Sequence, residues 1–299
     1  MAQSQTRMQK YIAEEVSKVK GVAYPVRAGK LERAFVMKVS CKKLHPNPDD
    51  EFCFPEIGPN EGIVSRYEQD FRRLRENPDA LSYADSGVKE ALDVQKIYPD
   101  GYMILNGHHR WLAAHNAGVA KLPVRIVNLT QERDIRRMLN NSRHDKRVTL
   151  DLEEIVFSAG RDGLTEKPLR FPFSRIYKEH LRQGIPALFS DFVTGGYDVW
   201  LYSSGYDSLD YVRTLLKHYH APVTGIVTGT ARKSPKDQKT GEKLDRLVAG
   251  KYARTVHVDN DSVLVVDSQS KNFREFPLSG SASWIAAVME TMDKIRKMD

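Results

Sequence analysis

Cysteine is nearly absent: Cys41 and Cys53 are the only two in 299 residues. Neither sits in a metal-ligand spacing, so a disulfide framework is excluded, and a reducing, cytoplasmic home is expected. Also missing is any apolar run of about 18 residues, so the sequence offers no membrane-spanning helix. The stretch MAQSQTRMQKYIAEEVSKVKGV lacks an apolar centre and does not read as a secretory signal. Neither an internal repeat nor a low-complexity tract is visible.

What is present is the balance of a folded chain, with 40% hydrophobic and 28% charged residues. The length suits two cores of roughly 150 residues each. The boundary is expected between 145 and 146. A net charge of +7 favours anionic partners: nucleotides, phosphorylated small molecules, or nucleic acid through a basic surface. The densest basic run, Arg133, Arg136, Arg137, Arg143, Lys146 and Arg147, falls at the junction. It reads equally as a solvated linker helix.

In the first half, helical periodicity is expected over Met8 to Val19 and Ile63 to Glu76. Strands are expected at Ala34 to Ser40, Ala91 to Lys96, Tyr102 to Leu105 and Leu122 to Val127. The Pro- and Gly-rich stretch from Asp49 to Asn60 is expected to be a structured loop. The Tyr102 strand runs into Asn106, Gly107, His108, His109 and Arg110, and a helix follows from Trp111 to Ala117. A strand that ends on glycine and opens a helix presents free amides and a positive dipole end, which suit a phosphate. Arg110 is a candidate for gripping phosphate oxygens in a bidentate manner. His108 or His109 can donate to a phosphate or move a proton, or simply cap the helix.

"KKLHPNP" followed by "NGHHRWLAAHNAGVAKLPVRIV", with strand, turn and helix between, resembles the ParB/sulfiredoxin superfamily over Val36 to Asn128. "GHHR" is similar to the free serine kinase branch of that superfamily. The resemblance implies an α+β N-terminal domain that binds a nucleotide, ATP first among them, at Asn106 to Arg110, with Mg2+. Asn106 stands where that branch usually has aspartate. The kinase's catalytic glutamate falls, by position, on Glu56 or Glu61, with His109 also placed in the catalytic set.

Beyond 146, strands at Arg147 to Leu150, Tyr197 to Tyr202, Val223 to Val227, Thr255 to Val258 and Val263 to Val266 alternate with helices at Leu209 to Tyr219 and Trp284 to Lys297. Such alternation indicates an α/β layer with crossovers. Ser234 to Glu242 reads as a polar loop. VTLDLE ends a strand in Asp151, with Glu153 two residues on: a nucleophile and acid spacing for phosphoester hydrolysis. Ser203, at the end of YDVWLY, can hold a phosphoryl group, and Lys243 or Lys251 can neutralise its charge. Asp259 and Asp261 are candidate Mg2+ ligands with Asp151, and Asp267 is an alternative.

In order, these residues resemble the four motifs of a haloacid dehalogenase (HAD)-type hydrolase. That implies a Rossmann-like α/β C-terminal domain, a phosphatase or a decayed one, since Glu153 replaces the usual aspartate. Two functions follow as expectations. One is an ATP-dependent kinase of a small hydroxylated substrate fused to this HAD-like domain. The other is a ParB-like DNA-binding regulator with a non-catalytic scaffold. The regulator calls for helix-turn-helix patterning after the first unit, which is not seen. A sulfiredoxin-type reductase needs a cysteine in the turn, where histidine stands.

Overall fold

The computed structural model describes residues 7–77, 87–158, 160, 163–230, 246–268, 273–278 and 283–298. The expected polar loop at 234–242 and Lys243 lie outside them. The chain divides into two units, with the main break between Asn128 and Leu129.

The first unit contains α1 (Arg7–Val19), β1 (Tyr24–Pro25), α2 (Lys30–Ala34), β2 (Met37–Ser40), β3 (Leu44–Pro46), α3 (Glu61–Glu76), β4 (Leu92–Tyr98), β5 (Tyr102–Asn106), α4 (His108–Asn116) and β6 (Lys121–Ile126). Its sheet runs β2-β6-β4-β5-β3, with β1 paired to β4, and mixes parallel and antiparallel neighbours. Leu44, Leu92, Val94, Ile104, Trp111, Leu112, Leu122, Val124 and Ile126 are fully buried and form its core. The strand expected from Ala34 begins only at Met37, because Lys30–Ala34 forms a short helix.

The second unit contains α5 (Glu132–Asn140), β7 (Lys146–Asp151), α6 (Ile185–Thr194), β8 (Tyr197–Tyr202), α7 (Leu209–His218), β9 (Gly225–Val227), β10 (Arg254–Val258), β11 (Ser262–Asp267), β12 (Phe273–Pro277) and α8 (Trp284–Arg296). Its sheet order is β12-β11-β10-β7-β8-β9. β10, β7, β8 and β9 are parallel, while β11 and β12 fold back antiparallel. The first strand, β7, is therefore central, with chain order reversing on either side of it. In open parallel sheets the ligand crevice lies at the carboxyl ends of the strands at such a switch point. Asp151 is the last residue of β7.

The expected break after residue 145 moves back to 128. α5 buries Ile135 and Met138 in an apolar cluster with Trp200, Val248 and Tyr252, so this helix belongs to the second core. Thr130 joins it too, exchanging hydrogen bonds with Thr228 and the Ile226 carbonyl.

Candidate functional site

In the first unit the candidate site is built on the step from β5 into α4. Gly107 caps α4 with φ of 98°, in the left-handed region that favours glycine. A Cβ there would lie 2.9 Å from Leu92 Cγ and 3.2 Å from Arg110 Nη2, so the turn is closed to side chains. The expected phosphate turn is thus the first turn of the helix itself, whose opening amides have no carbonyl one turn back. Asn106 ends β5 exposed, directly before it.

The two histidines hold the 47–60 loop against this helix start. His108 is 5% exposed, and its Nε2 accepts the Asn47 amide at 3.3 Å. His109 Nε2 accepts the amide of Asn60 at 3.0 Å. A lone pair engaged on Nε2 leaves the proton on Nδ1, so both rings are held as the same neutral tautomer. Burial pushes His108 down to about 4, against the opposing pull of the Asp50 carboxylate 3.9 Å away. Burial lowers His109 as well. Buried Phe52 packs on both rings, at 5.2 Å and 5.1 Å between centroids.

Asn60 is also the cap of α3, its side chain accepting the Ile63 amide at 3.1 Å. Through His109, therefore, the starts of α3 and α4 are drawn together. Glu61 is the first residue of α3 and is exposed; Glu56 is exposed in the loop before it. Arg110 is only 6% exposed and is turned inward. Its Nη1 donates to the carbonyls of Gly87 (3.1 Å) and Glu90 (3.0 Å) and to the Glu90 carboxylate (3.3 Å). The residue expected to grip phosphate thus anchors the approach to β4.

The second constellation lies at the carboxyl edge of the second sheet. β7 and β8 pair with Asp151 opposite Tyr202, so Ser203 stands just past Asp151. Asp151 caps the turn Leu152–Val156, its Oδ1 accepting the Glu154 amide at 2.7 Å, and burial raises its carboxyl. Glu153 turns to the neighbouring strand end. Its carboxylate accepts the Ser203 hydroxyl, the Ser204 amide at 3.3 Å and the Gly205 amide at 3.4 Å.

Asp259 and Asp261 are exposed in the β10–β11 turn, at the same edge of the sheet. Asp259 Oδ1 accepts the Asn260 amide at 2.6 Å. Among the described residues no group of three or more His, Cys, Asp or Glu gathers to hold a metal, so Asp151, Asp259 and Asp261 do not form such a cluster. Asp267 is excluded from this edge. It pairs with Arg254, level with Lys146, and so lies about 16 Å from the carboxyl end at ~3.3 Å per residue. Lys251 precedes β10 at that same far end and cannot serve Ser203.

Sequence reasoning missed the latches on Asn47 and Asn60 and the closure of Glu153 on Ser203. The "HPNP" and "GPNE" asparagines mark tight loop positions, but nothing local ties them to the histidines.

No helix among the described residues is long and apolar enough to cross a membrane. No curated protein matches the chain. Residues 71–143 match the family model of the ParB N-terminal domain, a stretch that contains the Gly107 turn and supports its likeness to the ParB/sulfiredoxin superfamily.

Proposed function

We propose that this chain is a phosphoryl-transfer protein. Its first unit is a ParB/sulfiredoxin-type ATP-dependent kinase of a small hydroxylated substrate, close to the free serine kinase branch. Its second unit is a HAD-like phosphatase or pseudo-phosphatase. The observation that carries the reading is the convergence of two helix starts, α3 and α4, through the His109–Asn60 bond. Two positive dipole ends, with the first-turn amides of α4 free of any side-chain cap, fit the triphosphate of a nucleotide. Glycine at position 107 lets the turn pack against Leu92 and Arg110 in a left-handed conformation, which sets the direction of the α4 amides. Mg2+ would arrive on the phosphate oxygens and supply charge neutralisation.

In this reading His108 and His109 position the loop, and Arg110 holds the turn in shape. The proton of the substrate hydroxyl would pass to Glu61, exposed on the first turn of α3, or to Glu56 in the loop before it. Screening nucleotides with and without Mg2+ by thermal unfolding tests the site. A nucleotide at one hundred times its dissociation constant adds about 2.7 kcal/mol of stability. That gain should vanish in Gly107→Ala. A gain that persists there moves the site elsewhere.

For the second unit, the reading rests on the central β7 ending in Asp151 with Ser203 on the adjacent strand end. If the unit is active, Asp151→Asn abolishes hydrolysis of an aryl phosphate, while Glu153→Asp preserves or raises it.

A DNA-binding role is the second reading. It is favoured by Arg133, Arg137 and Arg143, all exposed and without an ion-pair partner among the described residues. Such binding would be sequence-independent and would fall steeply with added salt. A salt-resistant complex with one DNA sequence would favour a regulator over the kinase.

A further inference from the structure

We infer that the Ser203–Gly205 loop is an oxyanion site which the chain keeps closed with its own carboxylate, Glu153. A phosphate-type oxyanion enters only when that carboxylate leaves. The inference rests on the phosphoryl-chemistry reading of the second unit for its class of ligand, and on the geometry for the closure.

Ser203 is completely buried, and its hydroxyl makes its shortest contact with the Glu153 carboxylate, with the Gly205 carbonyl farther off at 3.4 Å. The amides of Ser204 and Gly205 point to the same two oxygens. One hydroxyl and two successive amides converging on an anion form the concave donor set that binds oxyanions. The fit is close. A Cβ on Gly205 would stand 3.1 Å from Glu153 Oε1, 3.3 Å from Asp207 Oδ2 and 3.6 Å from Ser203 Oγ, so the carboxylate seats tightly against this glycine.

Two features make the closure reversible. Ser204 is exposed, so the loop meets solvent on one side. Glu153 is half-buried and sits on a single helical turn, with a flexible side chain between it and its donors. A tethered group of this kind competes with free ligand at an effective concentration in the millimolar range. Asp207 adds a constraint: its Oδ2 lies 3.5 Å from the Ser203 hydroxyl, so an entering oxyanion shares the loop with a second carboxylate. The longer side chain of glutamate is what reaches the neighbouring strand end, where aspartate at the same position would fall short by one methylene.

The test follows the backbone amides of the full chain by NMR while inorganic phosphate is added. In Glu153→Ala the Ser204 and Gly205 resonances are expected to move saturably, at phosphate concentrations at least about tenfold lower than in the wild type. Ser203→Ala in that background should remove the response. Equal responses in the wild type and Glu153→Ala, or none in Glu153→Ala, would overturn the inference. Glu153→Gln keeps the length and loses the charge, so an intermediate response is expected, and one identical to the wild type counts against the closure. The unsubstituted protein gives a third check. At high phosphate its Glu153 amide must move together with those of Ser204 and Gly205, and movement of the loop alone refutes displacement.

The His108 and His109 amides report separately on the first unit. Hydrolysis of an aryl phosphate by Glu153→Asp without these shifts would leave the hydrolase reading standing and remove the inference. The shifts without hydrolysis would do the reverse.

Discussion

Two strand ends in this molecule present donors of the same kind and use them differently. After β5, the turn at Gly107 opens α4, and among the described residues no carboxylate of the chain bonds its first amides. After β8, the hydroxyl of Ser203 and the amides of Ser204 and Gly205 are taken up by Glu153. At the first, side chains work on the rear of the turn: His108 and His109 tie loops to the helix and Arg110 ties the approach to β4. At the second, a side chain works on the front. The same backbone motif is thus an open cradle or a closed one, according to which residues reach it from elsewhere in the chain.

The largest effect expected from this contrast is acid sensitivity of the first unit. The His108 imidazole lies near 4 in the folded protein, below its ordinary value near 6.5. A lowered value means stability that is present above about pH 6.5 and lost as pH falls toward 4, on the order of 3 kcal/mol. Urea unfolding across that interval should show the loss in the wild type, and His108→Gln should flatten the slope. An unchanged slope would make the latch unimportant.

Next in size is Gly107→Ala. A left-handed φ costs a non-glycine residue about 1–2 kcal/mol, and the contact with Leu92 adds to it. The midpoint of urea unfolding should fall accordingly. Glu153→Ala should cost less, roughly 1 kcal/mol, because the exposed side of the freed loop regains water as its partner. If this variant proves as damaging as Gly107→Ala, Glu153 is a structural strut and the contrast between open and closed turns fails. Smallest is Glu61→Gln, with a change in stability and nucleotide affinity under about 0.5 kcal/mol. Phosphoryl transfer should nevertheless collapse, as measured by product formation at saturating nucleotide.

The Gly107 turn was legible because everything that defines it is local: a strand, a glycine and a helix in succession. The strand β8 was legible for a similar reason, as an apolar-aromatic run, and β7 as a short strand that ends on Asp151. The partners of the histidines were not, since Asn47 and Asn60 are separated from them by a strand pair and the whole of α3. Glu153 and Ser203 belong to adjacent strand ends, so their meeting depends on sheet order, which periodicity does not encode. α6 was overlooked although Ile185, Leu188, Phe189 and Phe192 are all buried at helical spacing. The strands β1 and β3 carry too few residues for a pattern to register, and β12 is almost wholly exposed, so no alternation marks it.

The position of α5 bears on how these units could be separated or recombined. By sequence the helix lies inside the ParB-like stretch, but by packing it lines the second core with Ile135 and Met138. A junction cut after Arg143 would export a fragment whose last helix has an apolar side, Ile135 and Met138, with nothing to lie against. The remainder would keep Trp200 and Tyr252 but lose the side chains that cover them. A cut at Asn128 leaves each hydrophobic cluster whole. The heritable seam of this protein therefore does not coincide with the edge of its recognisable motif, and a module exchanged at that edge would carry away part of its neighbour.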